Sequence, residues 1–184
     1  MKEIAIFALL ASPLLSAQTY TEGTYFTADK PTGWEKRETP FGLSAEEKKV
    51  FGVEVFGPDS ADGLAARISI HYYAPGNLVH KTFERFIKLH SGPALGASLD
   101  GERYGPVKDG LLAGRKAKLF ERVVFEYIPP RSIKPKKVAI YERFAVVPAK
   151  AGFYVLRYHA PEDIAKANLK AFENMLKLFK PLMR

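Results

Sequence analysis

Cysteine is absent from all 184 residues, so neither a disulfide nor a lipid-bearing cysteine can form anywhere in the chain. No apolar run reaches the roughly 20 residues that a membrane-spanning helix needs. The longest, Ile4 to Leu15, is broken at Ser12 and Pro13. Histidine is scarce, with only His71, His80, His90 and His159, whereas zinc takes three or four convergent nitrogen or sulfur ligands. His80 and His90 lie ten apart in one predicted helix and are expected about 15 Å from each other, too far to share an ion. No Gly-x-Ser-x-Gly elbow occurs, and no glycine loop leads into Lys and Ser or Thr, so the usual hydrolase and nucleotide signatures are missing. No catalytic residue, cofactor or metal site is expected.

What is present begins with a leader. Lys2 followed by the short apolar run, with Ser16-Ala17 before Gln18, has the layout of a secretory signal over residues 1–17. The expectation is an exported chain, periplasmic or secreted and not transmembrane. The remaining 167 residues suit one domain, over 25–184 after a flexible polar leader at 18–24. The formal charge of +8 is unchanged by losing Lys2 and Glu3. Behind a signal, that charge points to an envelope protein or an anionic membrane surface as partner, not to nucleic acid.

Period-two alternation predicts strands at Val50 to Phe56, Ala66 to Tyr73, Lys116 to Tyr127, Lys137 to Val147 and Phe153 to His159, with shorter ones near Phe26 and Glu35. Pro31-Thr32-Gly33-Trp34 forms a turn, and the single tryptophan reads as an anchor at one end of a sheet. Asn77 is placed as the cap of a helix from Leu78 to His90, and Pro161 opens a second helix from Glu162 to Phe179. On that second helix, Ala165, Leu169, Phe172 and Leu176 share one face, opposite Lys166, Lys170 and Lys177. The order of elements implies an α+β fold, a mainly antiparallel central sheet packed between helices.

The Pro31–Trp34 turn, the hairpin around Phe51 and Ile70, the helix after Asn77, the Leu112–Ala117 step into a long strand, and Tyr154–Pro161 before a last helix together resemble the PsbP-like superfamily, which groups PsbP, DcrB and a Ran-binding nuclear factor. The resemblance covers Phe26 to Phe179. It implies a central antiparallel sheet between helices and a role in binding or assembly, not catalysis; without cysteine the chain departs from the lipoprotein members.

Three features invite a functional reading. A proline-rich basic stretch with Arg131, Lys134, Lys136 and Lys137 should project as a hairpin tip able to touch an anionic surface. His71 and His159, each in phase with an arginine (Arg67, Arg157), would make a small polar pocket if their strands adjoin. Asp59 and Asp62 sit in a turn that lacks the remaining acids of a calcium loop. The function expected is an exported, non-catalytic binding or assembly protein of the bacterial envelope. The alternative is a carrier of a small apolar or amphiphilic ligand between sheet and helix, suggested by thirteen Phe and nine Tyr. A glycine-rich loop before Tyr104, read as a lid, is the one feature favouring an enzyme.

Overall fold

The computed structural model describes residues 18–37, 42–93, 96–130 and 132–183. The leader expected over residues 1–17 and Arg131 of the basic tip lie outside them. The chain opens with β1 Gln18–Glu22, β2 Phe26–Lys30 and β3 Glu35–Lys36, then a single turn of helix, α1 Ala45–Lys48. The hairpin of β4 Val50–Asp59 and β5 Ala65–Tyr73 follows, then α2 Phe83–His90. Next come β6 Arg103–Tyr104, β7 Lys108–Leu112, β8 Arg115–Ile128, β9 Lys136–Pro148 and β10 Phe153–Pro161. The chain closes with α3 Glu162–Leu178 and β11 Lys180–Pro181.

Eight strands make one antiparallel sheet in the order β3-β4-β5-β10-β9-β8-β6, with β7 also on β8; β1, β2 and β11 make a second, small sheet. The α+β class and the antiparallel sheet agree with the sequence reading. β10 is central, and alternation puts Tyr154, Leu156, Tyr158 and Ala160 on one face and Phe153, Val155, Arg157 and His159 on the other.

The first face is covered by α3, whose Ala165, Phe172 and Met175 are buried against it together with Phe26 and Ala28 of the small sheet. The buried tyrosine hydroxyls of this face find acceptors: Tyr158 donates to Ala165 O at 2.8 Å, Tyr154 to Tyr25 O at 2.7 Å, and Tyr72 to Ala151 O. α3 ends because Lys180 precedes Pro181, which disfavours helical backbone, and Phe179 turns extended at φ −65°, ψ 128° with its ring buried.

The second face is covered differently. Phe86 of the eight-residue α2 packs on Tyr73, Phe144 and Phe153 at one end, beside Phe120 and Val146. The remainder carries charges, so the expected packing of the sheet between helices is not clearly seen; one face has a long helix and the other a short one over a single end.

Two local expectations change, and one turn is added. Residues 18–24 were expected as a flexible leader, yet Gln18–Glu22 pairs with β2 as β1, and Tyr20 packs 6.3 Å from Phe26. α2 starts at Phe83, capped by Thr82 Oγ1, which accepts from Arg85 N at 3.1 Å. Asn77 instead folds residues 77–80 into a turn, accepting from Val79 N and His80 N and donating to Ala74 O and His80 O. Finally, β7 joins β8 through Ala113 and Gly114, both at positive φ (50° and 74°), as a two-residue hairpin requires.

Candidate functional site

Alternation on β8, β9, β5 and β10 carries charge onto the second face beyond the aromatic end. Glu142 on β9 lies between Arg122 on β8 and His159 on β10, its register partners, and Arg157 approaches from the same strand as His159. Its side chain is fully buried. Oε1 accepts from Arg157 Nε at 2.7 Å and from His159 Nδ1 at 3.0 Å, and Oε2 accepts from Arg122 Nε. Burial alone would push this carboxyl up, but the His159 hydrogen bond and the Arg157 and Arg122 charges outweigh it and hold Glu142 well below the usual carboxylate range.

The network then runs outward. His159 Nε2 lies 3.2 Å from Glu126 Oε1, and Arg67 donates to the same oxygen at 3.2 Å. Glu126 is held below its ordinary value by the His159 hydrogen bond and the neighbouring positive charges. Arg67, Arg157 and Glu126 are each about one-third exposed, so the chain of charges starts in the protein interior and ends in water.

Of the residues singled out in the sequence, His159, Arg67 and Arg157 do meet. His71 does not join them. It sits opposite Val155, four residues from His159, about 13 Å along the strand at roughly 3.3 Å per residue, and its ring leans toward Tyr73 at 6.2 Å. A pocket with an ion shared by the two histidines is therefore ruled out. Glu142, Glu126 and Arg122 escaped sequence reasoning, although each stands in phase with apolar residues of its strand, Phe120 and Val124 on β8 and Ile140 and Phe144 on β9; a charge buried at such a position must find a counter-charge.

The separation expected for His80 and His90 is also corrected. Their ring centroids are 5.4 Å apart, because residues 77–82 form a turn that folds His80 back over α2. His80 Nδ1 and both ring nitrogens of His90 are buried without a hydrogen-bond partner among the described residues. Burial, aided by the Arg122 charge, pushes His90 down to about 4. Burial, aided by Arg157, does the same for His71. Among the described residues, no group of three or more His, Cys, Asp or Glu is placed to hold a metal ion.

In the basic tip, Ile133 is 99% exposed beside the exposed Lys134. Lys136 pairs with Asp62, and Lys137 donates to Asp100 O at 3.0 Å while standing 3.7 Å above the Phe125 ring. Asp62 is thus the partner of a lysine in a turn where Ser60 Oγ accepts from Asp62 N and Leu64 N. Among the described residues no helix is long and apolar enough to cross a membrane.

The chain has a PsbP-like fold, as the sequence resemblance implied. The solution structure of cyanobacterial PsbP (CyanoP) from Synechocystis is similar over 96% of this chain and 98% of its own, with a TM-score of 0.50 and 13% identity. A crystal structure from Bacteroides thetaiotaomicron is similar over 90% of this chain, with a TM-score of 0.53 and 10% identity; the chain spans 48% of that protein's length. LpqN of Mycobacterium tuberculosis, involved in cell envelope biogenesis, is similar over 94% of this chain and 87% of its own, with a TM-score of 0.48 and 12% identity. No protein-family model matches the chain, and no curated protein matches it by sequence.

Proposed function

We propose that the chain is an exported, non-catalytic binding or assembly protein of the bacterial envelope, periplasmic or secreted. The observation that carries this reading is the closed state of Glu142. Its side chain is fully buried and both oxygens are engaged, Oε1 by Arg157 and His159 and Oε2 by Arg122, so neither is open to a substrate's proton. A general base needs the opposite, a carboxylate with an open side. The network is therefore read as a structural clasp joining β5, β8, β9 and β10.

The signal-like leader and the net charge of +8 support export and an acidic partner, either an envelope protein or an anionic membrane. The contact residues proposed are Lys134, Lys136 and Lys137 together with Arg131. The Lys136 side chain is mostly solvent-exposed, so its pair with the half-buried Asp62 is weak enough to open. The test is co-sedimentation and crosslinking from envelope extracts, comparing wild type with a variant carrying Lys134→Glu, Lys136→Glu and Lys137→Glu. Recovery of a partner or of anionic vesicles that falls with salt and is lost in the variant supports the tip; equal recovery by both proteins ends it. A second reading, a carrier of a small amphiphile, is favoured by one observation, an apolar cleft beside Trp34.

A further inference from the structure

The cleft, of about 590 Å³, lies between α3 and the turn at Pro31–Trp34, within the range of about 300–1,000 Å³ typical of small-molecule sites. Ala171, Met175 and Leu178 of α3 face Trp34 across it, and Lys30, Lys170 and Lys177 stand around it against a single carboxylate, Asp29. That acid accepts from the neutral Thr19 hydroxyl at 2.8 Å. Among the described residues none of the three lysines makes an ion pair.

Two features shape the cleft. The Trp34 ring lies against Gly57 of β4, where a Cβ would come within 2.6 Å of the ring; glycine there lets the indole sit back. Met175 and Lys30 also line a small adjoining crevice of about 30 Å³ together with Ala28, Val53 and Val55. The opening thus combines an apolar floor with unneutralised ammonium groups at its edge. A protein partner would need a face of about 800 Å², far more than this recess presents.

We infer that the cleft binds one acyl chain bearing an anionic head group, with the tail on Trp34, Ala171 and Met175 and the head at Lys170 and Lys177. This inference rests on the carrier reading and adds the charge of the ligand to it. Trp34 is the only tryptophan, so its emission reports occupancy directly. The full mature chain is titrated with sodium laurate below its micelle-forming concentration and, separately, with neutral monolaurin; equilibrium dialysis with labelled laurate repeats the measurement without fluorescence.

The expected result is saturable binding of laurate, at least tenfold tighter than monolaurin and weakened by salt. Lys170→Gln with Lys177→Gln, both exposed positions whose replacement spares the core, should weaken laurate roughly tenfold and leave monolaurin unchanged. Ala171→Phe should block both ligands. Equal affinity for the two ligands overturns the anionic head but leaves the carrier reading standing. No saturable binding of either overturns both, as does a Trp34 signal that changes only with protein concentration, which would mean a second copy occupies the cleft.

Discussion

The two faces of the large sheet are built from the same strands yet hold together by different means. On the first, Phe172, Leu156, Tyr158 and Ile68 are all fully buried, and the polar atoms that go in with them are neutral hydroxyls bonded to backbone carbonyls. On the second, the aromatic contacts stop with Phe144, and the next residue in phase on β9 is the ionised Glu142. Removing water from neutral groups gives a contribution that acid does not alter. Removing it from charges gives one that holds only while every partner keeps its ionisation state.

The largest expected effects are a matched pair of truncations. Phe172→Ala leaves a cavity in the first face and should cost about 3–5 kcal/mol. Glu142→Ala strands Arg122 and Arg157 and should also cost about 3–5 kcal/mol at neutral pH. Urea unfolding at pH 7 and at about pH 2.5, well below the usual carboxylate range, separates them: the Phe172→Ala loss stays nearly constant, whereas the Glu142→Ala loss shrinks in acid. Equal pH dependence in both variants would erase the distinction between the faces.

A second effect appears in the wild-type protein. His71 and His90 have folded-state values near 4, below the roughly 6.5 of an unfolded histidine. The unfolded chain therefore takes up protons first. Their contribution to stability is complete above about pH 6.5 and is lost as pH falls toward 4. Glu142 adds a lower window, complete above about pH 4.3 and lost below it. The urea midpoint should decline in both steps, and His90→Gln should flatten the upper one. The smallest effect is local: Thr82→Ala removes the α2 cap and should cost about 1 kcal/mol, read as faster amide exchange at Arg85 and Phe86 with little change in α3.

The first face was legible in the sequence because its signal is periodicity, and periodicity in Ala165, Leu169, Phe172 and Leu176 or in Ile68 and Ile70 needs no knowledge of neighbours. The antiparallel α+β layout was legible for the same reason, and the likeness to PsbP-like proteins lay in short motifs such as Pro31–Trp34 and Tyr154–Pro161. The second face was not legible, since Arg122, Glu142 and Arg157 acquire meaning only when the registers of the consecutive strands β8, β9 and β10 are known. The cap failed on competition between two good candidates: Asn77 and Thr82 both suit a helix start, and Asn77 was drawn into a turn by four hydrogen bonds of its own. The charged clasp was half visible, through His159 and its arginines, and its centre was hidden because an isolated glutamate in a strand looks like a surface residue.

The small sheet has a consequence for the order in which the chain can close. β11, which follows α3, is the strand that flanks β2, and Met183 N donates to the Tyr154 hydroxyl beneath. Phe26 therefore stays uncovered on one edge of the small sheet until the segment after α3 folds back onto β2, setting Lys180 opposite Thr27. Closure of this layer is thus a long-range event, one that local strand pairing cannot complete.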